Sequence, residues 1–181
     1  RGGRIERLGP AASTPVPEGA IRVDARGKFL MPALAEMHAH IPPGNAPDAD
    51  IERTLFLYAV NGIGTIRGML GDPRHLVYRE RVAKGELFAP RIYTSGPSFS
   101  GGTAKTVESA VQMVADQKAA GYDLLKIHPG VPRPVFDAMA AKAHELGIPF
   151  GGHVPLDVGL HRALEARYRS IDHLDGYVEA L

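Results

Sequence analysis

The sequence contains no cysteine among its 181 residues. That excludes disulfides and thiolate ligands, so any metal site must draw on histidine, carboxylate or a modified side chain. Charge of one sign is also lacking: Lys and Arg number 21 against 20 Asp and Glu, a formal net charge of +1. There is neither a basic stripe nor an acidic tail, so the electrostatic footprint of a nucleic-acid binder is absent and no nucleic-acid partner is expected. No apolar stretch approaches the roughly 18 residues of a membrane-spanning helix. Internal repeats and low-complexity tracts are missing as well. The chain begins with Arg1 rather than Met. Its natural N-terminus is therefore expected to have been removed, and the compartment, cytoplasmic or exported, stays open.

What is present fits one folded domain. The length allows one real core rather than two, and 44% hydrophobic with 23% charged residues is ordinary for a globular chain. The 21 Gly and 15 Pro, in no repeating pattern, imply many tight turns.

From about Ala49 onward, helical and strand-like segments alternate. "ADIERTLFLYAVNG" places Ile51, Leu55, Tyr58 and Ala59 at helical spacing, with Gly62 suited to a left-handed stop. "IGTIRGM" reads as a strand, and "DPRHLVYRERVAKG" as a helix capped by Asp72 with Pro73 at its first position. "RIYTSG" is the next strand. "TVESAVQMVADQKAAG" is a helix with Val107, Val111 and Val114 on one face and Gly121 at its end. "YDLLKIH" then reads as strand, "RPVFDAMAAKAHELG" as helix and "IPFGGHV" as strand. "DVGLHRALEARYR" follows as a helix with Asp157 as candidate cap, and "SIDHL" as a last short strand. Six strands with parallel-type crossovers predict an α/β fold, open sheet or closed barrel alike. The first thirty residues differ: "GRIERLG" and "AIRVDARGKFL" read as short strands around a Pro-rich loop, a small β element before the α/β body.

The chemistry-bearing residues gather at predicted strand ends. In "EMHAH", His38 and His40 lie two apart, hence on one strand face. Imidazoles spaced about 6–7 Å along such a face can converge on one ion; two surface histidines in a turn is the plainer alternative. Lys126 in "DLLKIH", His153 in "FGGHV" and His173 in "SIDHL" fall at the ends of three further strands. That end is where α/β folds place active sites. Lysine in an apolar strand loses solvation, which favours the neutral amine. Such an amine can act as base or nucleophile, or take up CO2 as a carbamate able to bridge two cations; alternatively its ammonium snorkels to solvent. Substrate-contact candidates are His128, on the face of Lys126, then Arg67 and Tyr177. For Arg67 a salt bridge to a neighbouring carboxylate is the simpler expectation. His75, His144 and His161 lie in predicted helices and are expected at the surface. "SFSGGTAK" matches no P-loop, and no nucleophile elbow is present.

Taken in order, "MPALAEMHAH", "NGIGTIRGMLG", "PRIYTSGP", "GYDLLKIH", "PFGGHVP" and "SIDHLDGY" resemble the amidohydrolase superfamily. Within it they are similar to the branch of imidazolonepropionase-like proteins and metal-dependent Xaa-Pro dipeptidases. The resemblance covers nearly the whole chain. It implies a (β/α)8 TIM-barrel type of fold, incomplete here at about six βα units, in residues 31–181. Residues 1–30 would form part of a small N-terminal β-sandwich. It also implies two divalent metal ions, zinc by expectation. His38 and His40 would hold the more buried ion, His153 and His173 the second, with Lys126 carboxylated as the bridge.

The resemblance further implies hydrolysis of an amide, peptide or cyclic amide C–N bond by a metal-bound hydroxide, on a small-molecule or dipeptide-like substrate. The strand-eight aspartate of the family, its proton shuttle, has no counterpart before Leu181, so the chain is expected to be a fragment of a longer protein. Two other readings stand beside this one. A one-metal aminohydrolase or deaminase of the same superfamily needs no carbamate. A non-catalytic barrel scaffold would follow if the chain ended at Leu181, its open sheet edge inviting homo-oligomers. Relatives commonly carry glycine at positions 33 and 167, here Ala33 and Arg167. A left-handed backbone at Arg167 would cost on the order of 1 kcal/mol.

Overall fold

A computed structural model describes residues 4–181. The chain divides into two compact units, Arg1–Pro32 and Ala33–Leu181.

In the first unit the expected short strands do not form among the described residues; Gly3, which opens the first of them, lies outside those residues. The segment is a succession of turns, one held by the backbone and hydroxyl of Thr14, both donating to the Pro10 carbonyl at 2.9 and 2.8 Å. Ile5, Ile21, Val23 and Phe29 are all exposed. The alternation is there, but a strand forms only where another strand accepts its ladder of hydrogen bonds. No described residue of this unit supplies one.

The second unit is α/β with parallel sheets. Strands β1 (Leu34–Ala39), β2 (Ile63–Gly68) and β3 (Arg91–Thr94) pair in that order, and β4 (Leu125–Ile127) pairs with β5 (Phe150–Gly152), all in parallel. Single bridges, Ser95 to Leu124 and Phe99 to Ile127, carry the succession from β3 to β4, and Gly152 to Ile171 carries it beyond β5. The sixth strand expected over Ser170–Leu174 is reduced to that last bridge. His173 and Leu174 adopt φ of 58° and 60°, which turns the chain out of extended conformation.

Helices α1 (Asp48–Val60), α2 (Pro73–Ala83), α3 (Val107–Ala120), α4 (Arg133–Leu146) and α5 (Gly159–Glu165) fill the crossovers. The local signals work where they are complete. Asp72 caps α2, accepting from the Arg74 N–H, and Pro73 takes its first position. Thr106 and Ser109 close a reciprocal capping box on α3, and Gly121 ends it at φ 83°. Asp157 is not the cap of α5; Val158 precedes it without a side-chain cap bond.

Two apolar clusters lie between strands and helices. One joins Ala39, Ile41, Ile51, Leu55, Ile66, Tyr78 and Ile92. The larger gathers Leu125, Ile127, Phe136, Met139 and Phe150 with Ala110 and Val114. Residues pointing to these clusters alternate with residues pointing to the other sheet face, and that alternation aims the functional side chains. In α3 the buried face is Ala110, Val114 and Gln117, one step round from the expected Val107–Val111–Val114 stripe; Val107 is exposed because α3 packs on α4. His75, expected at the surface, is fully buried, its Nε2 2.9 Å from the Pro42 carbonyl. His144 and His161 are exposed as expected, the former with its Nε2 3.1 Å from the Ala166 carbonyl. Among the described residues no helix is long and apolar enough to cross a membrane.

Candidate metal centre

β1 delivers the first two histidines. Against β2 its register slips by one residue between Glu36 and Ala39. Such a bulge re-aims side chains at strand ends. The backbone N–H of His38 donates to the Glu36 carboxylate at 2.8 Å, and Ala39 points into the core. His38 and His40 thus share a side, their rings stacked at 5.1 Å between centroids and 27° between planes.

The other strand ends bring their histidines to the same place. The His38 ring lies 4.7 Å from that of His173, His173 lies 4.9 Å from His153, and His153 lies 5.2 Å from His128. Five imidazoles from four segments therefore form one continuous chain of ring contacts.

Lys126, in the middle of β4, is completely buried beside them. Its stem runs past Gly152, where an added Cβ would stand 3.0 Å from Lys126 Cδ and 2.3 Å from the Ile127 carbonyl oxygen. Glycine at 152, with φ 132°, leaves room for that stem. Its ammonium does not snorkel to solvent: Nζ donates to Oδ2 of Asp172, a carboxylate with a side chain only 4% exposed. His38 Nδ1 lies 3.2 Å from the same oxygen. A second carboxylate, Asp175, accepts from His153 Nδ1 at 2.6 Å.

Neither aspartate was singled out by sequence reasoning. The available signal was "SIDHLDGY" itself, two carboxylates flanking His173, but strand alternation points Asp172 away from the face of His173. Asp172 is held by its backbone N–H on the Gly152 carbonyl at 2.8 Å, and the left-handed pair His173–Leu174 that follows turns Asp175 back to the cluster. The donor atoms of His38, Asp172 and His173 all lie within 4.8 Å of one another.

Electrostatics follow from this crowding. Burial, and then the positive charge of Lys126, lower the proton affinity of both His38 and His128 below the ordinary imidazole value; Asp172 opposes this in each case. Tyr168 donates its O–H to the His153 carbonyl at 3.1 Å, and burial, with Asp172 nearby, pushes its phenol far above the usual range. It is a fixed donor.

Two substrate-contact candidates do not join the cluster. Arg67 meets no carboxylate among the described residues: it donates to the Met37 carbonyl at 2.7 Å and to Ser170 Oγ at 3.0 Å, tying β1 to the segment after α5. It lines a cavity of about 800 Å³ with Tyr93, Phe150 and Arg169, which none of the clustered histidines nor Lys126 borders. Chemistry follows the donor atoms rather than the larger hole. Tyr177 is half-exposed in the last turn and its phenol bonds no described residue. His128 alone of the three lies at the cluster, against His153.

No protein-family model matches the chain. An adenine deaminase of Mesorhizobium japonicum is 28% identical over 171 residues, which are 88% of this chain and 28% of that protein. Among solved structures, a protein of Bifidobacterium longum assigned as a prolidase superimposes with a TM-score of 0.74 at 29% identity, over 93% of this chain and 46% of that one. Bottromycin amidohydrolase follows with a TM-score of 0.70 at 28% identity, over 83% of this chain and 34% of its own. The chain thus spans less than half the length of each relative. In sequence and in fold the chain is similar to these three proteins of the amidohydrolase superfamily.

Proposed function

We propose that the protein carrying this chain is a metal-dependent hydrolase of amide-type C–N bonds in a small-molecule or dipeptide-like substrate. The observation that carries the proposal is the convergence of His38, His40, His153 and His173 around buried Lys126. The names of the relatives, a prolidase, an amidohydrolase and an adenine deaminase, all describe hydrolysis at carbon–nitrogen bonds and support it.

The residues fit a divalent ion. They are imidazole nitrogens and carboxylate oxygens without thiolate, a set that suits zinc. Around one tetrahedral zinc with bonds of about 2.0–2.2 Å, ligand atoms stand roughly 3.3–3.6 Å apart. The donor atoms of His38, Asp172 and His173, all within 4.8 Å of one another, would draw together by up to about 1.5 Å on binding. His38, His40, His153 and His173 would hold two zinc ions, with Lys126, once carboxylated, between them. Bound there, the ions would polarise the scissile carbonyl and lower the pKa of water toward about 7. The chain's own contribution is orientation. Asp172 fixes His38, Asp175 fixes His153, and His128 borders the cluster where a substrate would enter. The first thirty residues belong, in this reading, to a small β-sandwich.

One observation favours a mononuclear deaminase-like site as second reading. Lys126 is engaged by Asp172, and a carbamate there would set a second anion against that carboxylate. Metal analysis of the protein from its complete gene, purified under zinc-replete conditions, decides. About two zinc per chain, falling to one or fewer in Lys126→Ala, is expected. One zinc per chain, unchanged in that variant, selects the second reading, and no bound divalent ion refutes both.

A further inference from the structure

We infer that the turn Asp172–Asp175 is an orienting clip, in which Asp175 is the positioning residue that fixes the tautomer and ring direction of His153. The consequence for metal affinity rests on the reading of His153 as a ligand; the tautomer itself does not.

A neutral imidazole carries one N–H, and an ionised carboxylate only accepts. With His153 Nδ1 at 2.6 Å from Asp175 Oδ2, the proton belongs on Nδ1, and the lone pair of Nε2 is left to the cluster. The rest of the residue is pinned independently. Its backbone N–H donates to Ile127 at 2.9 Å, and its carbonyl accepts from Tyr168 at 3.1 Å. Asp175, with the ring contacts to His128 and His173, therefore sets the remaining freedom, the rotation of the ring.

The same short turn does this twice. Asp172 stands 3.2 Å from Nδ1 of His38, a histidine of a different strand. Asp175 N–H donates back to the Asp172 carbonyl at 3.1 Å, closing the turn around His173. An extended chain would send residues 172 and 175 to opposite faces. Left-handed φ at His173 and Leu174, where glycine would be easier, brings both carboxylates to one side. Gly176, at φ 80°, then returns the chain against Val154, whose Cγ1 an added Cβ would meet at 3.3 Å. Unfavourable backbone at two successive residues is retained where it places three polar side chains at once.

The test uses metal-free protein with 15N-labelled histidine. Two-bond ring correlations report the tautomer, and the His153 signal is assigned by its loss in His153→Gln. His153 is expected as the Nδ1–H form in wild type. Asp175→Ala should shift it toward the Nε2–H form and raise the zinc Kd by about 10–100-fold. Asp175→Asn, still accepting through its amide oxygen, should restore the tautomer and most of the affinity. An Nε2–H wild type, or a tautomer that Asp175→Ala leaves unchanged, overturns the clip, and the wild-type spectrum decides even if the alanine variant does not fold. Wild type that binds no zinc removes the metal reading, while the tautomer judges the clip separately.

Discussion

Replacing Lys126 by methionine removes a charge and keeps most of a stem. The ammonium is wholly buried and bonds Asp172, whose side chain is 4% exposed. Truncation to alanine would also open a void against Gly152, so methionine isolates the electrostatic change. Leaving one member of a buried ion pair alone costs about 3–5 kcal/mol. His38 Nδ1, 3.2 Å from the same oxygen, remains as a partner for Asp172 and holds the loss near the lower bound. The expected destabilisation of metal-free protein is therefore about 3 kcal/mol, a large share of the about 5–15 kcal/mol that domains possess. Removing both charges, in Lys126→Met with Asp172→Leu, should return stability to within about 1 kcal/mol of wild type. Urea unfolding followed by far-ultraviolet circular dichroism, in chelator and without bicarbonate so that Lys126 is uncarboxylated, reads these values. A loss below about 1 kcal/mol for the single variant, or a double variant no more stable than the single, would refute the ion-pair reasoning.

Two further outcomes follow from backbone and surface chemistry. Arg167 sits at φ 60° at the end of α5, so Arg167→Gly should stabilise by about 1 kcal/mol and raise Tm by roughly 2–4 °C; an unchanged or lower Tm by calorimetry contradicts this. Asp137 joins α4 to α5. Burial works to raise its proton affinity, yet bonds from Arg162 Nε at 2.7 Å and Arg133 Nε at 2.9 Å outweigh this and hold its carboxyl below the ordinary value. A depressed carboxyl contributes stability above its unfolded pKa of about 3.9 and loses it as pH falls through the folded value. Asp137→Asn should therefore cost about 0.5–1 kcal/mol at pH 7, and the gap from wild type should shrink below about pH 4. A gap independent of pH, in urea titrations at several pH values, would show that the ion pair is not its source.

The legible parts of the fold were those whose information is contiguous. Asp72 with Pro73, and Gly121 and Gly147 in left-handed stops, mark helix ends with a handful of adjacent residues. The clustering of the candidate residues was legible for a related reason: His38, His40, Lys126, His128, His153 and His173 fall at or near strand ends, and parallel crossovers bring such ends together. Losses came where a distant partner decides. His75 is buried because the loop after β1 folds over it, which nothing in its own helix announces. Arg67 bonds a carbonyl and a hydroxyl rather than the expected carboxylate, and the hydroxyl belongs to Ser170, far along the chain. The stripe of α3 is turned by its packing on α4.

By itself the sequence determined the α/β alternation, the absence of thiolate chemistry and the identity of six basic side chains at one end of a parallel array. Each of these depends on residue type and local period. The tertiary structure alone decided that the first unit stays in turns among its described residues, since strands need partners. It alone reduced the sixth strand to one bridge, and brought Asp172 and Asp175 round to Lys126, His38 and His153. A carboxylate chooses among cations and imidazoles by position in space. Two residues in left-handed conformation were enough to change which ones it met.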